Sequence, residues 1–339
     1  MIDISFVVPM YNAEAYLAKT LDSIVKMVGE KNDRAEVVLI DDGSTDATVE
    51  IARSYVKKYP FFKFIQSSHQ GVSATRNLGI SKTNGEYITF IDCDDFFEPN
   101  FVEKFIQFDK KNADIIIVDV ETVTSHILKE QLNIEDKISI FKLINRARGN
   151  NGICSKIFRK EFLFEKQLKF DTEVTVGEDA LFNYQAIDKA SSILIASQKF
   201  YYVLESHTLP YYNPQILSSE LKYRQKTAKV FEQYVAYDTA GDLLWTDNKI
   251  KLTGFIRLVD RYFGPQYNKK DITLREAADS LRKIAEKYEY TTSFSDKRHD
   301  NVLGLRYRVF RRLLNKRLYR TTLVFNKYMD KIKKTQRWK

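Results

Sequence analysis

Short apolar runs alternate with longer amphipathic stretches over the first 120 residues of the chain. The apolar runs predict β-strands at residues 4–9, 36–40, 62–65, 87–91 and 115–118. The amphipathic stretches carry apolar side chains at helical spacing and predict helices at residues 13–28, 46–57, 72–81 and 101–111. Strands that alternate with helices indicate an α/β fold, in which helices cover both faces of a mostly parallel sheet.

The pattern becomes almost entirely helical after Pro214. Helical spacing predicts helices at residues 216–237, 245–263, 273–288 and 306–332. Between the two regions the signals are weaker, with helices expected at 136–148 and 180–189. We therefore expect an α/β domain over residues 1–214 and a mainly α-helical C-terminal region over residues 215–339.

The composition excludes several classes of protein. Hydrophobic residues make up 44% of the 339 residues, which is enough for a packed core and excludes a disordered chain. No apolar run approaches the roughly 20 residues that a membrane span needs, and the first run is too short for a signal peptide. Two cysteines cannot build a disulfide framework. We therefore expect a cytoplasmic protein in a reducing compartment.

The positive charge is concentrated at the C-terminus. The net charge is +9, but residues 297–339 alone hold 15 Lys or Arg against two Asp or Glu. Apolar residues recur among these cations near helical spacing, which predicts a basic amphipathic helix. One interpretation is peripheral attachment to the anionic inner face of the cell membrane; another is packing on the body or on a second subunit of a homo-oligomer. Nucleic acid is not expected as a partner, because the tail holds no recognised nucleic-acid module.

Polar clusters follow three of the predicted strands, at residues 9–12, 41–44 and 92–95. In parallel sheets ligands bind beyond the carboxyl ends of the strands. The last cluster contains Asp92-Cys93-Asp94, a D-x-D motif whose two hard oxygen ligands suit Mg²⁺ or Mn²⁺. Taken alone, the motif is more typical of a solvated surface turn than of a metal site. Its position directly after a predicted strand favours a metal site.

Four motifs in order then resemble the family 2 glycosyltransferases of the GT-A fold, a Rossmann-like α/β architecture. They are VVPMYN at 7–12, IDDGSTD at 40–46, ATRNLG at 74–79 and FIDCDD at 90–95. The resemblance covers residues 1–205. It implies a nucleotide-sugar donor, with UDP as the nucleotide, a divalent Mn²⁺ or Mg²⁺ ion, and inversion at the anomeric carbon.

The resemblance also implies which residues bind the nucleotide sugar. Pro9 and Tyr11 are expected to line the base pocket. Asp42 is expected to accept the uracil N3–H, with Asp41 as the lesser candidate, although both could instead cap the following turn or helix. Arg76 is expected to contact the base or the diphosphate, since a guanidinium suits both; the alternative is a surface ion pair.

The metal and the catalytic base are implied in the same way. Asp94 is expected to hold the metal, and Asp92 to contact the ribose or the metal. His207 resembles a histidine that completes the metal site in some members of the family, and the alternative is an ordinary loop histidine. Asp179 resembles the carboxylate that takes the proton of the acceptor hydroxyl, with Glu178 as the second candidate. The alternative is that both acids only favour the start of the helix at 180–189.

We therefore expect an inverting, metal-dependent glycosyltransferase of polysaccharide biosynthesis. It would move a sugar from a UDP-sugar to a hydroxyl of a cell-surface glycan, a lipid-linked saccharide or a wall polymer. One alternative is a non-catalytic scaffold that binds nucleotide sugars at the membrane, and a more distant one is nucleic-acid binding through the basic tail. No residue pattern selects one sugar, acceptor or linkage.

Overall fold

A computed structural model describes residues 1–118, 127–146, 151–196, 201–202, 213–301 and 303–336. These residues belong to two compact units. The first lies within Met1–Lys137 and Arg148–His207, and the second within Ile138–Ala147 and Thr208–Lys339. The second unit therefore includes a short segment that precedes the last part of the first unit in the chain.

An eight-stranded sheet and the helices around it form the first unit. Its elements up to the fourth helix are β1 (Ile4–Met10), α1 (Leu17–Val28), β2 (Ala35–Asp41), α2 (Thr48–Lys58), β3 (Phe62–Gln66), α3 (Val72–Lys82), β4 (Tyr87–Phe90), β5 (Phe96–Phe97) and α4 (Phe101–Gln107). The remaining elements are β6 (Ile115–Ile117), β7 (Ile127–Glu130), α5 (Ile134–Arg146), β8 (Lys156–Arg159), α6 (Lys160–Glu165), α7 (Glu178–Lys189), β9 (Ser192–Ile195) and β10 (Tyr201–Tyr202). Helix α5 begins in the first unit and ends in the second.

The strands follow the order β3-β2-β1-β4-β8-β6-β9-β7, and β5 pairs separately with β10. Strands β3, β2, β1 and β4 run parallel to one another, whereas β8 is antiparallel to β4 and β6. The prediction of a mostly parallel α/β sheet of the GT-A type is confirmed. In the register, Met10 lies opposite Asp41 and Val7 opposite Phe90, so β1, β2 and β4 end at one edge of the sheet.

Helix α3 packs directly on the two central strands β1 and β2 because a glycine faces them. A Cβ atom at Gly79 would lie 2.3 Å from Val7 Cγ1 and 3.1 Å from Ile40 Cδ1. Any larger side chain would push the helix away from the sheet. Since Arg76 lies one turn earlier on the same helix, this close packing fixes the position of its backbone relative to the strand ends.

The second unit is helical in the part of the chain that the structure describes. After the end of α5 it contains α8 (Gln215–Glu232), α9 (Asp242–Leu258) with a π-helical turn at Val259–Phe263, α10 (Gly264–Lys269), α11 (Leu274–Lys287), α12 (Thr291–Ser295), α13 (Leu305–Asn315) and α14 (Tyr319–Gln336). None of the helices in the described ranges is both long and apolar enough to cross a membrane. The expected mainly helical C-terminal region is confirmed.

The prediction of one long helix at 306–332 is wrong, because a turn interrupts the helix between α13 and α14. Arg317 has φ 56°, a left-handed conformation that ends a helix. The apolar face of α13 is already used within the unit, since Phe310 and Leu314 are fully buried. Arg311 is also buried and forms an ion pair with Asp300. Helix α13 therefore packs within the second unit, while attachment to a membrane or to a second subunit stays a prediction.

Candidate active site

Segments from three parts of the chain meet around the side chain of Arg76. Helix α3 supplies the arginine, and the turn after β4 supplies Asp92. The first turn of α7 supplies Glu178 and Asp179, which follow Gly177. Gly177 has φ 91°, a conformation that glycine adopts without strain, and it turns the chain into α7.

The Arg76 guanidinium holds two carboxylates at once. Nη1 donates to Asp179 Oδ1 at 2.7 Å, and Nη2 donates to Asp92 Oδ1 at 3.0 Å. Glu178 Oε1 lies 3.5 Å from Nη1 as a third negative partner. The ring of Phe170 lies 5.3 Å from the guanidinium carbon. Two acids that are distant in the sequence are thus joined by one cation.

The charges in this cluster are unequal. Burial lowers the pKa of Arg76, but the carboxylates of Asp179, Asp92 and Glu178 raise it by more, so the guanidinium keeps its charge. Three carboxylates then face one guanidinium, an arrangement that leaves negative charge at the strand ends. The alternative interpretation of Arg76 as a surface ion pair is wrong, since its side chain is only 4% exposed.

Glu178 and Asp179 are perturbed by the same surroundings. Burial raises the pKa of Glu178 to about 7, with a further contribution from the Asp179 carboxylate, and Arg76 opposes this. Burial also raises the pKa of Asp179, where Arg76 again acts in the opposite direction. Asp179 Oδ2 accepts the Ile153 N–H at 3.3 Å, so both of its oxygens are held. Both acids lie in the first turn of α7, as the helix-start interpretation requires, and the role of Asp179 as the catalytic base stays a prediction.

The D-x-D motif forms the turn after β4. The Asp92 side chain is 39% exposed and keeps one oxygen that Arg76 does not use. Asp94 is partly exposed, and its carboxylate contributes, after burial, to raising the pKa of Cys93 to about 12. The turn is held by Thr20, whose hydroxyl donates to the Cys93 carbonyl at 2.8 Å, and by the Tyr201 hydroxyl, which donates to Asp95.

The donor chemistry of this turn fits a Mg²⁺ or Mn²⁺ ion. Both ions favour carboxylate and phosphate oxygens, and Mg²⁺ in particular keeps several water ligands. Within the described ranges, no group of three or more His, Cys, Asp and Glu side chains is arranged to hold a metal. The described residues would therefore supply Asp92 and Asp94, and a phosphate ligand and water the rest. His207, the third predicted ligand, lies outside the described residues.

A second group of side chains lies at the ends of β1 and β2. Asp42 accepts the Gln70 N–H at 2.8 Å and the Gly71 N–H at 2.9 Å, which ties the end of β2 to the start of α3. His69 Nδ1 lies 2.9 Å from Asp42 Oδ2. Tyr11 stacks on the His69 ring with a centroid distance of 4.3 Å, and 45% of Tyr11 is exposed. An aromatic surface therefore lies beside a buried carboxylate.

The other two predicted base-pocket residues lie deeper. Asp41 is fully buried, and its carboxylate accepts the N–H groups of Gly43 and Ser44 at 3.2 Å, which is the turn-forming role considered as its alternative. Pro9 is buried within β1, opposite Ile40 of β2. Sequence reasoning assigned no role to His69. Only the position of His69 in the loop before α3, the helix that carries Arg76, could have indicated a role at the site.

Comparison with known proteins identifies the family to which the chain is similar. The model of the family described as Glycosyl transferase family 2 matches residues 5–177. The putative glycosyltransferase EpsH of Bacillus subtilis (strain 168) is 27% identical over 259 residues, covering 73% of this chain and 71% of the relative. The poly(ribitol-phosphate) beta-glucosyltransferase of Bacillus spizizenii is 28% identical over 294 residues, covering 86% of this chain. The chain spans only 44% of the length of that second relative.

Solved structures resemble the chain over nearly its whole length. One of them is the crystal structure of S. aureus TarS 1–349 in complex with UDP-GlcNAc, with a TM-score of 0.59 and 20% sequence identity. The similarity covers 95% of this chain and 90% of the other. At this level of identity the likeness shows a shared fold, and it agrees with the sheet and helical region described above.

Proposed function

The chain belongs to glycosyl transferase family 2 and is a glycosyltransferase, and we propose that it moves a sugar from a UDP-sugar to a hydroxyl of a polyol-phosphate wall polymer. The acceptor is supported by a relative whose name specifies poly(ribitol-phosphate) as the substrate. The donor is supported by the UDP-GlcNAc bound in a structure of the same fold.

The observation that carries this proposal is the contact of Arg76 with both Asp92 and Asp179. A transferase needs groups that bind the donor diphosphate close to a group that activates the acceptor. Asp92 lies at the carboxyl end of β4, where ligands bind in parallel sheets, and Asp179 comes from the helix on the other side of Arg76. One buried guanidinium brings these two groups together.

Asp179 acts as the general base in this proposal. As the acceptor oxygen forms its bond to the anomeric carbon, its proton passes to the Asp179 carboxylate, and the bond between that carbon and the diphosphate oxygen breaks. UDP leaves with the bonding electrons, and the configuration inverts in one step. The hydrogen bonds from Arg76 and Ile153 hold the Asp179 carboxylate in place. Glu178 is the alternative base, and its pKa of about 7 suits proton transfer near neutral pH.

The donor is held at its base and at its diphosphate. The uracil stacks on the exposed face of Tyr11, next to His69 and Asp42. Arg76 lies toward the diphosphate. Asp92 and Asp94 would hold a Mn²⁺ or Mg²⁺ ion, which when bound neutralises charge on the leaving diphosphate.

An acceptor-dependent transfer assay tests the proposal. The purified protein is mixed with labelled UDP-glucose or UDP-GlcNAc, MnCl₂ and poly(ribitol phosphate), and both UDP release and label in the polymer are measured. We expect label in the polymer and UDP release that depends on it. Parallel reactions contain an uncharged glycan in place of the polymer, and label transfer only in those reactions would refute the polymer acceptor. Donor binding without release or transfer would favour the non-catalytic scaffold.

A further inference from the structure

One peptide group links the proposed base to a buried lysine. The Ile153 N–H donates to Asp179 Oδ2 at 3.3 Å. The carbonyl of the same peptide group, that of Gly152, accepts a hydrogen bond from the Lys156 ammonium at 2.9 Å. Because the C=O and the N–H of a trans peptide point in opposite directions, the ammonium and the carboxylate lie on opposite sides of this one peptide bond.

The lysine itself is held in a fixed place. Lys156 is the first residue of β8, and it is only 1% exposed. Its ammonium also donates to the Ser155 hydroxyl at 2.9 Å, and its backbone carbonyl accepts the Thr89 hydroxyl at 2.9 Å. Within the sheet, Lys156 lies opposite Ile117 of β6. Burying an ammonium costs free energy unless the group is hydrogen-bonded, and these contacts stabilise it where it stands.

The Gly152 carbonyl has a second donor, which comes from the helix that carries the base. Asn183 Nδ2 donates to Gly152 O at 3.2 Å and to Asn151 O at 2.9 Å. Asn183 lies one turn after Asp179 in α7 and is 1% exposed. The base and a group that holds its hydrogen-bond donor are therefore on the same helix.

The peptide group couples the charge of the ammonium to the carboxylate. A peptide bond is planar and rigid, so a fixed carbonyl oxygen also fixes the direction of the N–H. The oxygen is the negative end of the peptide dipole, and hydrogen bonds in a chain strengthen one another. Burial raises the pKa of Asp179, and the Ile153 N–H and the Lys156 ammonium, after Arg76, act against that rise.

We propose that Lys156 is a positioning residue for Asp179, which acts by fixing the peptide group between Gly152 and Ile153. The role rests on the proposed function, in which Asp179 is the general base. Lys156 exchanges no proton in this scheme, since the proton of the acceptor hydroxyl still passes to Asp179. Loss of the ammonium should therefore slow transfer and leave the binding of both substrates unchanged.

Replacement of the ammonium in the full chain tests this inference. In Lys156→Met the side chain stays long and unbranched but loses its charge and its donors. We expect kcat to fall about tenfold in the transfer assay with UDP-glucose or UDP-GlcNAc, while UDP affinity and the KM for poly(ribitol phosphate) stay within a factor of about two. Lys156→Gln keeps an N–H donor and should retain more of the kcat than Lys156→Met.

Combination with Asp179→Asn separates positioning of the base from a general structural role. In Asp179→Asn no base remains to be positioned, so adding Lys156→Met should change kcat by no more than about twofold. A structural defect would lower kcat by the same factor in both backgrounds. That result, or an unchanged kcat in Lys156→Met, would overturn the inference alone. Unchanged turnover in Asp179→Asn by itself would overturn the base assignment and this inference together.

The matched control is Lys251→Met, which also removes a buried ammonium but does so in the second unit. Lys251 is 5% exposed and pairs with Asp247 at 2.9 Å. Its kcat should equal that of the parent, with folding of every variant checked by circular dichroism. If Lys156→Met does not fold, Asn183→Leu removes the second donor to the Gly152 carbonyl. It should lower kcat in the parent but not in Asp179→Asn, and an equal loss in both would overturn the inference.

Discussion

Arg76 Nη1 lies 2.7 Å from Asp179 Oδ1, although the two residues are 103 positions apart in the chain. The contact joins the helix packed on the central strands to the first turn of α7. It also makes Arg76 the shared counter-ion of Asp92, Glu178 and Asp179. The stability of the site and its chemistry therefore depend on the same cation.

Replacing this cation should destabilise the protein in a pH-dependent way. In Arg76→Met, three carboxylates lose their common partner. Because these carboxylates are partly exposed, we expect the free energy of unfolding to fall by about 2–3 kcal/mol at pH 8. The loss should shrink toward pH 5, since Glu178, with a pKa already raised to about 7, takes up a proton and the repulsion falls. Urea unfolding at both pH values measures it. The exposed Arg53→Met is the control, and an equal loss at both pH values would contradict the account.

Glu178 should itself make stability fall as the pH rises. Its folded pKa of about 7 exceeds its ordinary value of 4.5, so the folded state binds the proton more tightly than the unfolded state does. Its contribution is complete below pH 4.5 and is lost as the pH rises through 7. We expect Glu178→Gln to be more stable than the parent by about 2 kcal/mol at pH 8 and no more stable near pH 4.

The control for this pH dependence is Glu161→Gln, a side chain that is 71% exposed. Its unfolding free energy should follow the parent at every pH. A constant difference between Glu178→Gln and the parent from pH 4 to pH 8 would mean that Glu178 has no raised pKa in the folded protein.

Asp179→Asn should separate donor binding from transfer. The amide keeps the shape of the side chain but cannot take the hydroxyl proton, so we expect kcat to fall by about 10²–10⁴-fold. UDP affinity should stay within a factor of about two, because the base contacts the acceptor rather than the nucleotide. The kcat of Glu178→Gln is measured alongside and should fall by less than that of Asp179→Asn if Asp179 is the base. The exposed Asp33→Asn serves as the control; unchanged turnover in Asp179→Asn would remove the base role from this residue.

Asp94→Asn should remove the effect of the metal on donor binding. For the parent we expect UDP to bind at least about tenfold more tightly with Mn²⁺ than with EDTA, since an ion held by Asp92 and Asp94 would neutralise charge on the diphosphate. In Asp94→Asn the two affinities should become equal. Titration calorimetry in the two buffers measures this, with the exposed Asp109→Asn as the control. Parental UDP binding that is the same in both buffers would argue against a metal-dependent donor site.

The strand ends were predictable because burial and the motifs point to the same place. The runs at β1, β2 and β4 are apolar on both faces, as central parallel strands require, and the polar motifs follow them directly. The predicted residues Arg76, Asp92 and Asp179 do come together. Their direct contact was not predictable, because it depends on how the chain returns across the sheet after β4.

The missed features share physical causes. Strand β8 carries the charged residues Lys156 and Arg159 at its two ends, so its four residues give no apolar run, yet Lys156 is 1% exposed and bonds to the Gly152 carbonyl. The end of α13 has no Gly or Pro to mark it, and Arg317 adopts the left-handed conformation instead. Local patterns do not record such tertiary contacts.

Tyr11 and His69 give the last prediction, since their stacking was visible only in the folded chain. If the exposed face of Tyr11 receives the uracil, Tyr11→Ala should weaken UDP binding by about 1–2 kcal/mol, or roughly tenfold, whereas Tyr11→Phe should retain most of it. His69→Ala should weaken binding less, because His69 supports the ring from behind at 4.3 Å. Tyr237→Ala, at a tyrosine that is 53% exposed in the second unit, is the matched control. UDP affinity that is the same in Tyr11→Ala and the parent would place the base elsewhere and leave the Tyr11–His69 stack as a loop contact only.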